Sequence, residues 1–182
     1  DVDRAEFKKP TIHVDMPLFA DAKDFLEAIV RKTKDLKAPV SDKESWREKC
    51  LYWKKTYPAT LPRHYEENGK TANVFAFIKH LSDSLPEGSL TAVSNGACCV
   101  VGHQNWTIKK DTRFIINSAI ASMGYGLPAA IGLCVAGGKK DTVCLEGDGS
   151  IMMNLQELQT IVTNKLPIKV FLINNQGYHS IR

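Results

Sequence analysis

Two patterns of apolar residues divide the chain. Up to about residue 57 they recur at helical spacing among charges. Phe25, Leu26, Ile29 and Val30 share one face of a helix that Asp21 can cap. Trp46, Cys50 and Trp53 share one face of a second helix, at about 44–56, with Lys, Arg and Glu opposite, and this stripe is read as packing rather than as a ligand set. Before both, Thr11-Ile12-His13-Val14 predicts a short strand. From Thr71 the texture changes to continuous apolar runs separated by helical segments. Thr71 can cap a helix carrying Val74, Phe75, Phe77, Ile78 and Leu81, which Leu85-Pro86-Glu87-Gly88 ends. Strands are then expected at 89–93, 113–116, 142–145 and 168–173, with helices opening near Pro128 and covering 154–164. Strands that are apolar throughout and separated by helices predict an α/β fold: a parallel sheet with helices on both faces, here preceded by a mainly helical linker.

Composition sharpens this division. Of the 182 residues, 24 are Lys or Arg and 20 Asp or Glu, and residues 1–70 hold 28 of those charges but only one of the twelve glycines, Gly69. Tyr57-Pro58, Leu61-Pro62 and Asn68-Gly69 supply breakers, so the expected organisation is 1–57, a connecting loop at 58–70, and a domain from 71 to 182. A net charge of +4 with interleaved signs is no nucleic-acid footprint and no polybasic membrane patch. No apolar run reaches the roughly 18 residues that span a bilayer. The five cysteines form no CxxC pair and Asp1-Val2-Asp3-Arg4 has no signal-peptide layout, so a cytoplasmic protein with reduced, mostly buried thiols is expected.

In a parallel sheet, ligands bind where the carboxyl ends of the strands release their loops. Two such loops read Glu146-Gly147-Asp148-Gly149-Ser150 and Asn174-Asn175-Gln176-Gly177-Tyr178. Asp148 offers a carboxylate oxygen and Asn175 an amide oxygen, hard donors that suit Mg²⁺ or Ca²⁺. With a single full negative charge, the remaining ligands should be water, a backbone carbonyl and an anion. Phosphate is the natural anion, because Gly149 and Ser150 precede a helix whose amides point at it. The two loops therefore describe a metal-bridged diphosphate site.

Gly147-Asp148-Gly149-Ser150 followed one strand later by Asn174-Asn175 resembles the thiamine-diphosphate motif of decarboxylase and carboligase enzymes. Ala121-Ser122-Met123-Gly124-Tyr125-Gly126-Leu127-Pro128 is similar to a segment of acetolactate-synthase-type enzymes. The resemblance implies thiamine diphosphate and Mg²⁺ as cofactors, with the metal held by Asp148, Asn175 and the carbonyl of Gly177. It implies phosphate contacts from Gly147, Gly149 and Ser150, and a Met123 side chain that props the cofactor in a bent shape. Ser122 lies in the same segment, and the carbonyl of Ala121 is implied to receive the aminopyrimidine amine. Acetolactate synthases usually carry Gln-His after the strand that here ends at Val93. This chain has Ser94-Asn95-Gly96-Ala97, whose amides at Asn95, Gly96 and Ala97 are expected to contact the diphosphate instead.

By the same resemblance, residues 11–30 look like the tail of a middle domain, and the domain from 71 looks like a cofactor domain that would continue beyond Arg182. The implied activity is decarboxylation or carboligation of a 2-oxo acid such as pyruvate, in a homo-oligomer (dimer or tetramer). The activating glutamate would come from a separate pyrimidine-binding domain of the partner subunit, so no catalytic residue is assigned here and the chain alone is expected to turn over nothing. A different class remains open: a non-catalytic nucleotide- or diphosphate-binding α/β domain. Gly124-x-Gly126-x-x-Ala129, with Glu146 at a strand end, fits a dinucleotide pattern except that residues 118–123 separate the glycines from their strand. Asn174 is read as a loop residue, and Gln176 and His179 as exposed or satisfied rather than substrate-facing.

Overall fold

A computed structural model describes residues 1–36, 43–66 and 69–181. Asn68 and Arg182 lie outside the described residues. The chain forms two compact units, Asp1–Thr56 and Tyr57–Arg182.

The first unit contains α1 (Ala22–Asp35) and α2 (Lys43–Thr56). Asp21 caps α1 as expected, its carboxylate accepting from the Lys23 amide at 2.8 Å. The strand expected at 11–14 does not form. Among its described residues the unit has no strand to complete a ladder, and an isolated strand leaves its backbone groups unpaired. The stripe on α2 also differs from expectation: Trp46 and Trp53 meet each other edge to face, with ring centroids 5.8 Å apart, and both remain exposed, as does Cys50. Residues seven apart return to the same side of a helix, so the two indoles find one another rather than a core.

The second unit is built on four parallel strands: β1 (Leu90–Val93), β2 (Arg113–Ile116), β3 (Thr142–Gly147) and β4 (Ile168–Ile173), in the order β2-β1-β3-β4. Its helices are α3 (Val74–Ser84), α4 (Ala97–Asn105), α5 (Gly126–Ala136), the single turn α6 (Asp148–Ile151) and α7 (Glu157–Thr163). Alternation along the strands sends side chains to two cores. Val93, Val143 and Leu145 pack with Ile78 of α3 and with Cys98 and Val101 of α4 on one face. Ala92 and Cys144 pack with Leu127 and Ala130 of α5, and with Ile151 of α6, on the other. Helices thus cover both faces, as expected for buried parallel strands.

Four details depart from the sequence reading. Asn73, not Thr71, caps α3: its side-chain oxygen accepts from the amides of Phe75 at 2.9 Å and Ala76 at 3.5 Å, so the helix starts one residue after an asparagine that can close its first turn. Helix α4 stands where no element was expected. β3 runs two residues further than expected and carries Glu146 and Gly147. The helix expected at 154–164 is preceded by α6, which begins at Asp148 itself, so Gly149 and Ser150 lie within a helical turn rather than before one.

Topology fixes where a ligand can enter. The chain leaves β1 for β2 on one side and later returns to build β3 on the other, so the sheet's order reverses between β1 and β3. Loops diverging at such a reversal leave a crevice beyond the carboxyl ends of the strands. Val93 is in register with Leu145, and Gly147 with Ile173, so the loops after β1, β3 and β4 open at one edge.

Candidate functional site

A cavity sits at that edge. Asn95, Gly96 and Ala97 line it from the loop after β1, Gly147, Asp148, Gly149 and Ser150 from the end of β3, and Asn175 and Gly177 from the loop after β4, with Met123 at its side. Ten of the twelve residues singled out by sequence therefore face one space. Ala121 and Ser122 do not line it.

Asp148 ties two of the loops together. One carboxylate oxygen, Oδ1, accepts from the Gly149 amide at 3.0 Å, and the other, Oδ2, accepts from the Gly177 amide at 2.8 Å across 29 residues of sequence. The loop after β4 is shaped by its own first asparagine: Asn174 Oδ1 accepts from the Gln176 amide at 3.0 Å, which fits its reading as a loop residue. Asn175 is different. Its Oδ1 is buried and has no hydrogen-bond partner, and a buried acceptor without a donor is costly unless a ligand completes it.

This is the observation against which a cation can be tested. Among the described residues no group of three or more His, Cys, Asp or Glu could hold a metal, so a site made of protein carboxylates, imidazoles or thiolates is not available. A hard cation that takes one carboxylate, one amide oxygen and a carbonyl, and fills its remaining positions with phosphate oxygens and water, fits the donors present at Asp148, Asn175 and the Gly177 carbonyl, which accepts from the His179 amide at 2.9 Å and keeps a second lone pair. Mg²⁺ with a diphosphate meets that description.

Ser150 behaves differently from its expected role. It is 5% exposed, and its hydroxyl accepts from the Gly124 amide at 2.7 Å and shares a hydrogen bond with the Ser94 hydroxyl at 2.8 Å. Its side chain is committed to the protein, which leaves only its backbone for a phosphate. The Ala121 carbonyl likewise already has a donor, Asn95 Nδ2 at 3.1 Å, and Ala121 holds a positive φ of 55°. Met123 is 37% exposed at the cavity rather than sunk in a core.

Sequence reasoning did not single out Tyr178, Cys98, Ile173 or Ile181, which also line the cavity, and it read His179, which lines it too, as not substrate-facing. The Tyr178 ring lies directly against Gly149, a long-range contact that no sequence spacing signals. Cys98 carries no reactive thiolate: burial above all, and then the Glu146 carboxylate, push its thiol up to about 12. Glu146 itself is 0% exposed. Its Oε2 accepts from the Leu127 amide at 3.2 Å, so it caps the start of α5 from inside the molecule and is not on a surface where it could meet a ribose.

Residues 94–182 match the family described as "Thiamine pyrophosphate enzyme, C-terminal TPP binding domain". The acetolactate synthase large subunit of Cyanidium caldarium is 31% identical over 188 aligned residues, covering 100% of this chain and 30% of that protein. Acetolactate synthase isozyme 2 large subunit of Escherichia coli (strain K12) is 33% identical, over 80% of this chain and 23% of that protein. The chloroplastic acetolactate synthase 2 of Nicotiana tabacum is 34% identical, over 97% of this chain and 26% of that protein. The chain thus spans 30% or less of the length of these relatives. Residues 94–182, which contain every loop that builds the cavity, thus carry the C-terminal TPP-binding domain of the thiamine pyrophosphate enzyme family, and the chain is acetolactate synthase-like.

Proposed function

We propose that the cavity beyond β1 and β3 binds Mg²⁺ and the diphosphate of thiamine diphosphate, as the cofactor half of a carboligase or decarboxylase acting on a 2-oxo acid such as pyruvate. The observation that carries this reading is the unpartnered, buried Oδ1 of Asn175 on the same cavity as the Asp148 carboxylate. Those two oxygens and the Gly177 carbonyl would hold the metal, and the metal would bring the diphosphate against the backbone amides of the loops after β1 and β3. Gly96 and Ala97 supply amides at the start of α4 that favour an anion there. Met123 would support the organic part of the cofactor, whose bound form supplies the nucleophilic carbon of such reactions.

On this reading residues 71–182 are a cofactor domain and 1–57 the tail of a middle domain with its helical linker. The activating glutamate comes from a partner subunit of a homodimer or homotetramer. The chain alone binds metal and diphosphate weakly and turns over no substrate. Five free cysteines, four of them buried, support a reducing, cytoplasmic setting. Among the described residues no helix is long and apolar enough to cross a membrane.

Calorimetric titration of the chain with thiamine diphosphate, ADP and NAD, each with and without Mg²⁺, tests the reading. The expected result is binding of thiamine diphosphate that requires Mg²⁺ and is about tenfold or more tighter than that of ADP, a difference on the order of one good contact to the organic part. Metal-independent binding, or equal or better binding of ADP or NAD, would replace it with the non-catalytic nucleotide-binding alternative.

A further inference from the structure

Met123 stands beside a peptide that is gripped on both sides. The Gly124 amide donates to Ser150 Oγ at 2.7 Å, and the Gly124 carbonyl accepts from Asn154 Nδ2 at 2.8 Å. Ser150 is in turn anchored to Ser94 at the end of β1 by a hydroxyl–hydroxyl contact of 2.8 Å, in which either can donate. Ser94 is 0% exposed and Ser150 5%, so water does not compete for the two bonds that Ser150 makes. Gly124 adopts a φ of 80° and admits no side chain: a Cβ there would stand 2.7 Å from Met153 Cβ and 2.8 Å from Asn154 Nδ2.

We propose that Ser94, Ser150 and Asn154 are positioning residues, which fix the Gly124 peptide by its amide and its carbonyl and so set where the adjoining Met123 side chain stands over the cavity. Met123 is partly exposed and precedes a glycine, so the placing of the Gly124 peptide bears directly on where its side chain stands. The three side chains come from the residue after β1, from α6 and from the segment before α7. They therefore tie the Met123 turn to the diphosphate loop. A preorganised support spends none of the cofactor's binding energy on ordering the turn. The role of Met123 toward the organic part of the cofactor rests on the reading of the site given above, whereas the grip on Gly124 does not.

Two measurements on this chain separate those claims. Amide hydrogen exchange without cofactor reads the grip directly: Ser150→Ala removes the acceptor of the Gly124 amide and should speed its exchange about tenfold or more, with α3 and the central strands unchanged. Unchanged exchange at Gly124 overturns the grip. Calorimetry with Mg²⁺ then compares thiamine diphosphate with inorganic pyrophosphate, which lacks the part that Met123 would touch. Asn154→Ala should weaken thiamine diphosphate by roughly five- to tenfold, as for loss of one good hydrogen bond, and pyrophosphate by less than about twofold.

In the Met123→Ala background the same change should cost almost nothing further, because residues acting through one another are not additive. Asn154→Asp keeps the side chain's shape but sets an acceptor against the Gly124 carbonyl, and should reproduce the effect if the alanine variant is poorly folded. Equal losses for both ligands, or additive losses in the double variant, would make Asn154 a general structural residue and overturn its positioning role. Wild-type chain that binds pyrophosphate as tightly as thiamine diphosphate would overturn the cofactor reading and Met123's part in it, with the exchange result still deciding the grip.

Discussion

Replacing Asp148 by asparagine should abolish metal-dependent diphosphate binding, weakening it by about 100-fold or more. Three effects combine in that number. The substitution removes the one full negative charge in the proposed metal set, and a hard dication loses far more from a missing carboxylate than from a missing amide. It also replaces an acceptor of two backbone amides, those of Gly149 and Gly177, with a side chain that can accept through only one atom. The second of these bonds ties the loop after β4 to the end of β3, so its loss also displaces Asn175 and the Gly177 carbonyl. The check is calorimetric titration of Mg²⁺ and thiamine diphosphate into the variant, with hydrogen exchange to establish that β1 and β3 remain protected. Retention of affinity to within about threefold would remove Asp148 from the metal site.

Gly126→Ala should destabilise the second unit by about 3 kcal/mol, although the position is helical and alanine is ordinarily about 1 kcal/mol better than glycine in a helix. The reason lies in the buried Glu146. A methyl at Gly126 would overlap Glu146 Oε2 and stand 3.0 Å from Ser94 Cβ. That oxygen accepts from the Leu127 amide, and the other, Oε1, is buried with no partner. The carboxylate therefore has no relaxed position to move to: displacement breaks its one hydrogen bond and leaves a fully buried charge-bearing group unsatisfied. Urea unfolding followed by circular dichroism measures the effect, and a neutral or stabilising result would mean that the Glu146 side chain can swing away at little cost. Gly126→Ala in a Glu146→Gln background should be milder, because the amide has less to lose from a broken bond.

What could be read in the sequence, and what could not, follows from how each element is stabilised. The four strands of the second unit are legible because each is a mostly apolar run between helical segments, the signature of strands covered by helices, and their carboxyl ends point to the cavity. Helix α4 was not legible. Its exposed face carries Val100 beside His103 and Gln104, and its buried face holds Gly102 and Asn105 beside Cys98, Cys99 and Val101, so polarity follows no helical period. The 11–14 segment failed in the opposite sense: alternation alone suggested a strand, but a strand also needs a neighbour, and that is a property of the fold. At the site, residue types and loop placement brought Asp148, Asn175 and Gly177 onto one cavity. The direction of individual side chains stayed hidden. Ser150 turns inward to Ser94 and Gly124, and Asn95 reaches the Ala121 carbonyl; these three bonds join residues 26 or more apart, which no local spacing signals. Tyr178 could have been suspected only from its place in the loop after β4.

The central claim is that Asp148 and Asn175 hold a divalent cation jointly with a diphosphate, and Mn²⁺ in place of Mg²⁺ makes that arrangement visible by electron paramagnetic resonance. The chain should take up Mn²⁺ weakly alone and at least about tenfold more tightly with thiamine diphosphate, since the anion supplies ligands the protein lacks. The bound ion should show hyperfine coupling to the cofactor's ³¹P nuclei, lost in Asp148→Asn. Mn²⁺ that binds equally well without the diphosphate, or binds with no coupling to phosphorus, would contradict it.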